Sequence, residues 1–247
     1  MNVQNIPRDQ KDVKRAFLPK LDAYLFFDYK AIEVRLLAYY LAAAISDRSL
    51  ALEINAGMDP HYSTAQGLFQ TEDVTDRQRQ IGKTLNFSII YGGGTPTIMR
   101  QLGVDFKEAK RLLTAYHNTR PGIKILTESI GETLATRGYI QNLYGRRLHV
   151  GESHKALNAL IQGSAADLMR DAVVRVSKTL DKHYASHIVN IIHDEIMIDA
   201  DRNEIVTLVN TIPTLMGNKE VERYVNIDTD CEISYTNWAD KVEYHGS

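Results

Sequence analysis

The chain's densest chemistry lies at His193, Asp194 and Glu195, set inside the apolar stretch IIHDEIMI at 191–198. Residues 188–192 and 196–200 are apolar and rich in isoleucine, a pattern that predicts two half-buried strands of a tight hairpin with the three titratable residues at its turn. Adjacent carboxylates repel one another and lose hydration against a packed sheet, so a compensating charge is needed, and a divalent cation is one source of it. Acidic residues are also ordinary at hairpin turns, and from this stretch alone a solvated turn is the simpler reading. A second candidate is Asp28. It follows the apolar run AYLFF at 23–27, which reads as a buried strand, and precedes Ile32, Leu36, Leu37, Tyr40, Leu41 and Ala44 at helical spacing, with Glu33 in the first turn. A carboxylate at a strand-to-helix junction can face a ligand at the sheet edge or simply cap the helix.

A third set is built on one helix. Thr75 and Gln78 spell a capping box, which predicts a helix over 76–91 that stops at Gly92, Gly93 and Gly94. Arg77, Arg79 and Lys83 crowd its first turns, where the macrodipole disfavours cations by ~0.3–1 kcal/mol each. A local rule broken in this way points towards function. Arg79, Lys83, Phe87 and Tyr91 recur at four-residue steps and so share one slowly drifting stripe. Two cations followed by two aromatics suit a nucleotide, with phosphates at one end and base and sugar at the other. A solvated cationic face beside a core-facing aromatic pair fits the same spacing.

The elements that must position these residues follow from patterning. A weakly helical or irregular region over 50–70 contains Asp59-Pro60-His61; helices are expected over 104–114 and 123–136, the latter closed by Gly138. A short strand over 139–143 turns at Tyr144-Gly145 into Arg146 and Arg147. A long helix over 155–180 carries Asn158 and Gln162 one turn apart, amides that can bond base or sugar edges or stay merely solvated. A helix over 204–216 and an edge strand over 225–235 complete the chain. With 44% hydrophobic and 24% charged residues in 247, the chain has the profile of a globular protein with a sizeable core. It has no run long enough to span a membrane and no apolar leader, so a cytosolic setting is expected. The single cysteine, Cys231, excludes an intrachain disulfide and a cysteine-ligated zinc site. Its 29 basic and 31 acidic residues balance, so any phosphate-binding surface must be local.

In order along the chain, Asp28-Tyr29-x-x-Ile32-Glu33-x-Arg35, then Arg79-x-x-x-Lys83-x-x-x-Phe87-x-x-x-Tyr91-Gly92, then His193-Asp194-Glu195 resemble the three polymerase motifs of the family A DNA polymerases. Val3-Gln4-Asn5-Ile6-Pro7, Asp59-Pro60-His61, Tyr144-Gly145-Arg146-Arg147, and Asn158 with Gln162-Gly163-Ser164-Ala165-Ala166-Asp167 extend the resemblance over nearly the whole chain. It implies an α+β fold, with a palm of antiparallel sheet over 1–50 and 139–247 and an inserted helical fingers subdomain over 51–138. The implied activity is template-directed transfer of deoxynucleotides to a primer 3′-hydroxyl with two Mg²⁺ ions, for which Mn²⁺ can substitute. Primer-template DNA and deoxynucleoside triphosphates are the implied partners, in a bacterial or phage-infected cell.

By the same resemblance Asp28 and Asp194 are the metal ligands, with the Tyr29 carbonyl assisting and Glu195 supporting the site. Arg79, Lys83 and His61 contact the triphosphate, and Lys83 also gives a proton to the leaving pyrophosphate. Phe87 and Tyr91 bound the sugar and the templating position. Glu33 is the gate against a 2′-hydroxyl, which argues against the related single-subunit RNA polymerases. His193, Arg147, Asn158 and Gln162 contact primer and template. Departures are Lys30-Ala31 in place of the usual Ser-Gln, a short connection over 148–157, and His154 in place of an arginine. Thumb and nuclease segments are absent from these residues, so a second polypeptide supplying a thumb or exonuclease is expected, as in a phage or split polymerase. A non-catalytic nucleic-acid-binding module derived from a polymerase is the rival from another class.

Overall fold

The computed structural model describes residues 6–7 and 10–245, so Val3, Gln4 and Asn5 of the opening motif lie outside the described residues. In chain order the elements are α1 (Lys11–Arg15), β1 (Ala23–Tyr29), α2 (Ile32–Ile45), α3 (Ser49–Asn55), α4 (Pro60–Phe69), α5 (Asp76–Ile90), α6 (Thr95–Leu102), α7 (Phe106–Thr119), α8 (Pro121–Arg137), β2 (Ile140–Gln141), β3 (Arg147–Leu148), α9 (Ala156–His183), β4 (His187–Ile192), β5 (Glu195–Ala200), α10 (Ile205–Met216), β6 (Thr229–Ser234) and β7 (Val242–Glu243). They fall into two compact units. The first comprises the described residues up to Lys30, Leu168–Asn218, and those from Ile227 onward; the second comprises Ala31–Asp167 and Lys219–Asn226. Their boundaries differ from the palm over 1–50 and 139–247 and the fingers over 51–138 that the resemblance implies.

The first unit is organised by β1. Six of its seven residues are buried and Asp28 is half-buried, so the strand must be covered on both faces. It lies at the centre of an antiparallel sheet of order β4-β5-β1-β6-β7. Residues directly opposite across strands share a face: Phe26 faces Met197 on β5 and Glu232 on β6, and Asp28 faces Glu195 and Asp230. Tyr24, Phe26, Met197 and Trp238 form the core of that face, with Phe17 and Ile192 packed against it. On the other face Leu25 and Phe27 are fully buried, and the Tyr29 hydroxyl donates to the Met216 carbonyl at the end of α10, 2.7 Å away. Each fully buried side chain of this kind stabilises by roughly 1.5–3 kcal/mol. The C-terminal strand, expected at an edge over 225–235, is the shorter Thr229–Ser234 and lies inside the sheet, because Glu232 and Ile233 pair with Glu243 and Val242 of β7. Two residues of β7 are too few to leave a period in the sequence.

The regular structure of the second unit is helical apart from the small β2–β3 hairpin and two short 3₁₀ turns, at Ser153–Lys155 and Val221–Arg223. The region expected to be weakly helical or irregular over 50–70 is two regular helices, α3 and α4, the second capped by Asp59, whose Oδ1 accepts from the amides of His61 at 2.7 Å and Tyr62 at 3.3 Å. The capping box at Thr75 and Gln78 forms in full at the start of α5. Helices α4 and α5 pack closely because Gly82 has no side chain: a Cβ there would meet the His61 carbonyl oxygen at 2.5 Å and the Ala65 amide nitrogen at 3.2 Å. Gly82→Ala should therefore separate the two helices and destabilise the unit by ~1–3 kcal/mol, as overpacking does elsewhere. Denaturant unfolding with an unchanged midpoint would contradict that close contact.

Candidate active site

In the first unit the chain reverses between β4 and β5 in two residues. His193 adopts φ 56°, a left-handed conformation that costs a non-glycine residue ~1–2 kcal/mol, and so lets β5 begin at once. Glu195, expected at the turn, is instead the first residue of β5, buried and paired opposite Asp28. Asp194 is half-buried at the turn, and its carbonyl accepts from the Tyr29 amide at 3.4 Å, which joins its backbone to that of the strand carrying Asp28.

Three carboxylates, Asp230, Asp28 and Glu195, thus form a row across β6, β1 and β5. Like charges directly opposite in a sheet destabilise it, and lysines from outside the row answer the flanking two. Lys30 pairs with Asp230 at 2.7 Å; Lys241 pairs with Glu195 at 2.8 Å, also contacts Glu232, and lies over the Phe26 ring at 4.8 Å. Burial works against the Lys241 charge, but the carboxylates of Glu195 and Glu232 hold its pKa above the ordinary lysine value. Neither Lys241 nor Glu232 was foreshadowed by any spacing in the sequence.

Asp28, His193, Asp194, Glu195, Glu232 and Lys241 line a cleft of about 410 Å³, with Lys11, Lys14 and Trp238 at its side. Among the described residues no group of three or more His, Cys, Asp or Glu side chains is arranged to hold a metal ion. A small hard cation such as Mg²⁺ needs no such cage, since it is held by one or two carboxylates together with substrate phosphates. Asp28, Asp194 and the Tyr29 carbonyl, the ligands expected from the sequence, are oxygen donors of the kind such a cation takes, and Asp28 and Asp194 line the same cleft. The reading of Asp28 as a helix cap does not hold, because α2 is preceded by Ala31 at φ 47° and shows no side-chain cap. Burial, aided by the Glu232 charge, pushes the Cys231 thiol up to about 12, which leaves it protonated and a poor nucleophile.

In the second unit the stripe on α5 forms as expected, with Arg79 and Phe87 half-buried and Lys83 and Tyr91 exposed. The cation at the helix start is compensated from outside. Arg79 donates from Nε to Asp59 Oδ2 at 2.7 Å, so one carboxylate caps α4 and pairs with α5. Burial raises the Asp59 pKa, but Arg79 and the two capping amides outweigh it and hold the group below its ordinary value. The His61 and Phe87 rings lie 5.6 Å apart, and those of Phe87 and Tyr91 6.5 Å apart. The Tyr91 hydroxyl donates to Glu33 Oε1 at 2.8 Å, bringing the expected gate residue to the end of the stripe.

The remaining expected contacts are on the second unit as well, except His193. Arg147 is exposed on β3, its guanidinium 4.7 Å from the Tyr139 ring, and Asn158 and Gln162 sit on the first turns of α9. Asn142 donates to the Gly163 carbonyl at 3.1 Å and Arg146 pairs with Asp167 at 2.8 Å, so the β2–β3 hairpin is held against α9. His154 pairs with Glu152 at the surface at 3.3 Å.

Burial pushes the His61 pKa down to about 4 against the raising charge of Asp59, and the charges of Lys83 and Arg79 act in the same direction as burial. The folded-state value is depressed below 6.5, so between pH 6.5 and 4 the unfolded chain binds a proton that the folded chain does not. Stability from this group is thus lost as pH falls through that window, with a slope of at most ~1.4 kcal/mol per pH unit. His61→Gln should flatten that limb of the stability–pH curve. Identical acid limbs in denaturant titrations of the two proteins would refute it.

The profile of DNA polymerase family A matches residues 1–240. Curated relatives include DNA polymerase I of Lactococcus lactis subsp. cremoris, 32% identical over 83% of this chain and 25% of that protein, and DNA polymerase I of Geobacillus stearothermophilus, 29% identical over 95% of this chain and 28% of that protein. The chain thus spans about a quarter of the length of these relatives. The POL domain of Pol1 from M. smegmatis, solved in complex with DNA primer-template and dNTP, superposes with a TM-score of 0.85 at 24% identity over 96% of this chain and 44% of that one. That likeness bears out the α+β polymerase fold expected from the sequence. With the family profile covering nearly every residue, the chain belongs to DNA polymerase family A.

Proposed function

We propose that this chain is the palm and fingers of a template-directed DNA polymerase, with palm over 1–50 and 139–247 and fingers over 51–138. It adds deoxynucleotides from their triphosphates to the 3′-hydroxyl of a primer paired to a template. The observation that carries this is the joining of Asp28 and Asp194 at one cleft, beside a row of acids whose flanking members are answered by lysines. The retained acid pair is costly to keep in a module that only binds. Two Mg²⁺ ions held by Asp28, Asp194 and the Tyr29 carbonyl would activate the attacking hydroxyl and neutralise the leaving pyrophosphate when bound. Arg79, Lys83 and His61 hold the triphosphate, Lys83 gives the leaving group its proton, and Phe87 and Tyr91 bound the sugar and the templating position. Glu195 supports the cleft through Lys241. His193, Arg147, Asn158 and Gln162 orient primer and template by bonds to backbone and base edges.

Primer extension by the purified chain with Mg²⁺ and the four deoxynucleotides tests the proposal. Asp194→Asn should cut the rate by about 10²–10³-fold or more, the scale on which loss of transition-state charge stabilisation is felt. Full activity in the variant, or none in the parent, would favour the binding-module alternative.

Glu33 selects the sugar by filling the space of a 2′-hydroxyl, and its bond to Tyr91 holds the carboxylate there. Glu33→Ala should raise ribonucleotide incorporation relative to deoxynucleotide by about tenfold or more, since ~1.4 kcal/mol of crowding or unpaired polar contact is enough for that ratio. An unchanged ratio in competition assays places the gate elsewhere.

A further inference from the structure

Asn86 is buried on α5, one residue before Phe87 and facing away from the cation–aromatic stripe into the helices. A buried amide in a helix core costs free energy unless its donors and acceptor are all used. Here they are. Its Oδ1 accepts from the Tyr116 hydroxyl at 3.0 Å, and its Nδ2 lies 3.3 Å from the Pro60 carbonyl, 3.1 Å from Thr64 Oγ1 and 3.1 Å from His61 Nδ1. The Pro60 carbonyl can only accept, so the side of the amide facing it must be the NH₂ group. Tyr116 is fully buried with its pKa raised by desolvation, so its phenol keeps the proton that it donates to Oδ1. The amide's orientation is thereby determined from two sides. An amide nitrogen cannot accept, so a hydrogen bond between Nδ2 and His61 Nδ1 requires that ring nitrogen to be bare and places the imidazole hydrogen on Nε2.

We propose that Asn86 is a positioning residue that holds His61 as its Nε2–H tautomer, so that the ring offers a neutral N–H donor to the triphosphate of an incoming nucleotide. This rests on the polymerase reading above, in which His61 contacts that triphosphate beside Arg79 and Lys83. The ring's own hydrogen bond among the described residues is the one at Nδ1, which leaves Nε2 for a ligand. Thr64 and Arg120 extend the same network: Arg120 donates to Thr64 Oγ1 at 3.3 Å, to Ser63 Oγ at 3.0 Å and to Glu53 at 2.7 Å. Helices α3, α4, α5 and α7 thus brace the amide that braces the histidine.

The tautomer is read from long-range ¹H–¹⁵N correlations of the ¹⁵N-histidine-labelled chain, which should show Nε2 protonated and Nδ1 bare. Asn86→Asp keeps the shape but offers only acceptors, and should move a proton onto Nδ1. In primer extension Asn86→Leu, close in volume, should raise KM for the deoxynucleotide by up to about tenfold with little change in kcat, as expected on loss of a hydrogen bond that aims a binding group. In a His61→Ala background the same substitution should leave KM unchanged. A parent His61 protonated at Nδ1 would overturn the assignment, and an equal KM effect of Asn86→Leu with and without His61 would show that Asn86 merely ties the helices together. If Asn86→Leu does not fold, the Asn86→Asp tautomer decides. His61→Ala with unchanged KM would overturn the triphosphate contact in the function proposed above, an outcome separate from the tautomer readout, which needs no activity.

Discussion

The constraint on which the first unit depends is the alignment of three carboxylates across its central strands. Asp230, Asp28 and Glu195 sit directly opposite one another, where Cα atoms of paired strands are only ~4.5–5.5 Å apart and like charges repel. No local sequence choice relieves this. Relief comes from Lys30 at one end of the row and Lys241 at the other, and the cohesion that holds the row in register comes from the apolar residues one and two positions back along β1. The pairs are unequal in strength. Lys30 and Asp230 are each about half exposed, at 47% and 53%, so their attraction is screened and worth ~1 kcal/mol or less. The Lys241 pair is mostly buried, at 29% and 11%, and removing Lys241 would strand the Glu195 charge beside the cleft.

That arrangement also accounts for a departure from the family pattern. Where the family has Ser-Gln after the motif aspartate's tyrosine, this chain has Lys30-Ala31, and Lys30 is engaged with the acid row. In place of that polar pair, Lys30 supplies charge compensation at the exposed end of the acid row. Ala31 then takes a left-handed conformation at φ 47° where the chain turns into α2, a strain of ~1–2 kcal/mol that glycine would not carry. No comparable gain is evident for His154, which forms a surface pair with Glu152.

The second unit solves a different electrostatic problem by the same device, a charge brought from another element. Arg79 conflicts with the dipole of its own helix, and Asp59, which serves as cap of α4, removes the conflict while it binds two amides. In the same unit Arg120 is buried with Glu53, Ser63 and Thr64 around it, so a charge that would be costly alone is paired and hydrogen-bonded. The cation–aromatic stripe is thereby mounted on a hydrogen-bonded base, and the Gly82 contact lets α4 and α5 approach closely enough for that base to exist.

The sequence by itself determined the period of nearly every element: the apolar run of β1, the capping box and four-residue stripe of α5, and the long apolar face of α9 are local patterns, written in neighbouring residues and readable without a partner. It determined the family too, through motifs whose order along the chain is a one-dimensional property. What it could not determine was which charge answers which. Lys241 meets Glu195 across 46 residues and Arg79 meets Asp59 across 20, and no spacing rule connects such pairs. Tertiary structure also moved Glu195 from a turn into a strand, because a left-handed His193 shortened the hairpin, and moved β6 from the edge to the interior, because two residues of β7 found it. Charge compensation and edge pairing are settled by distance in space, and distance in space exists only once the apolar faces have packed.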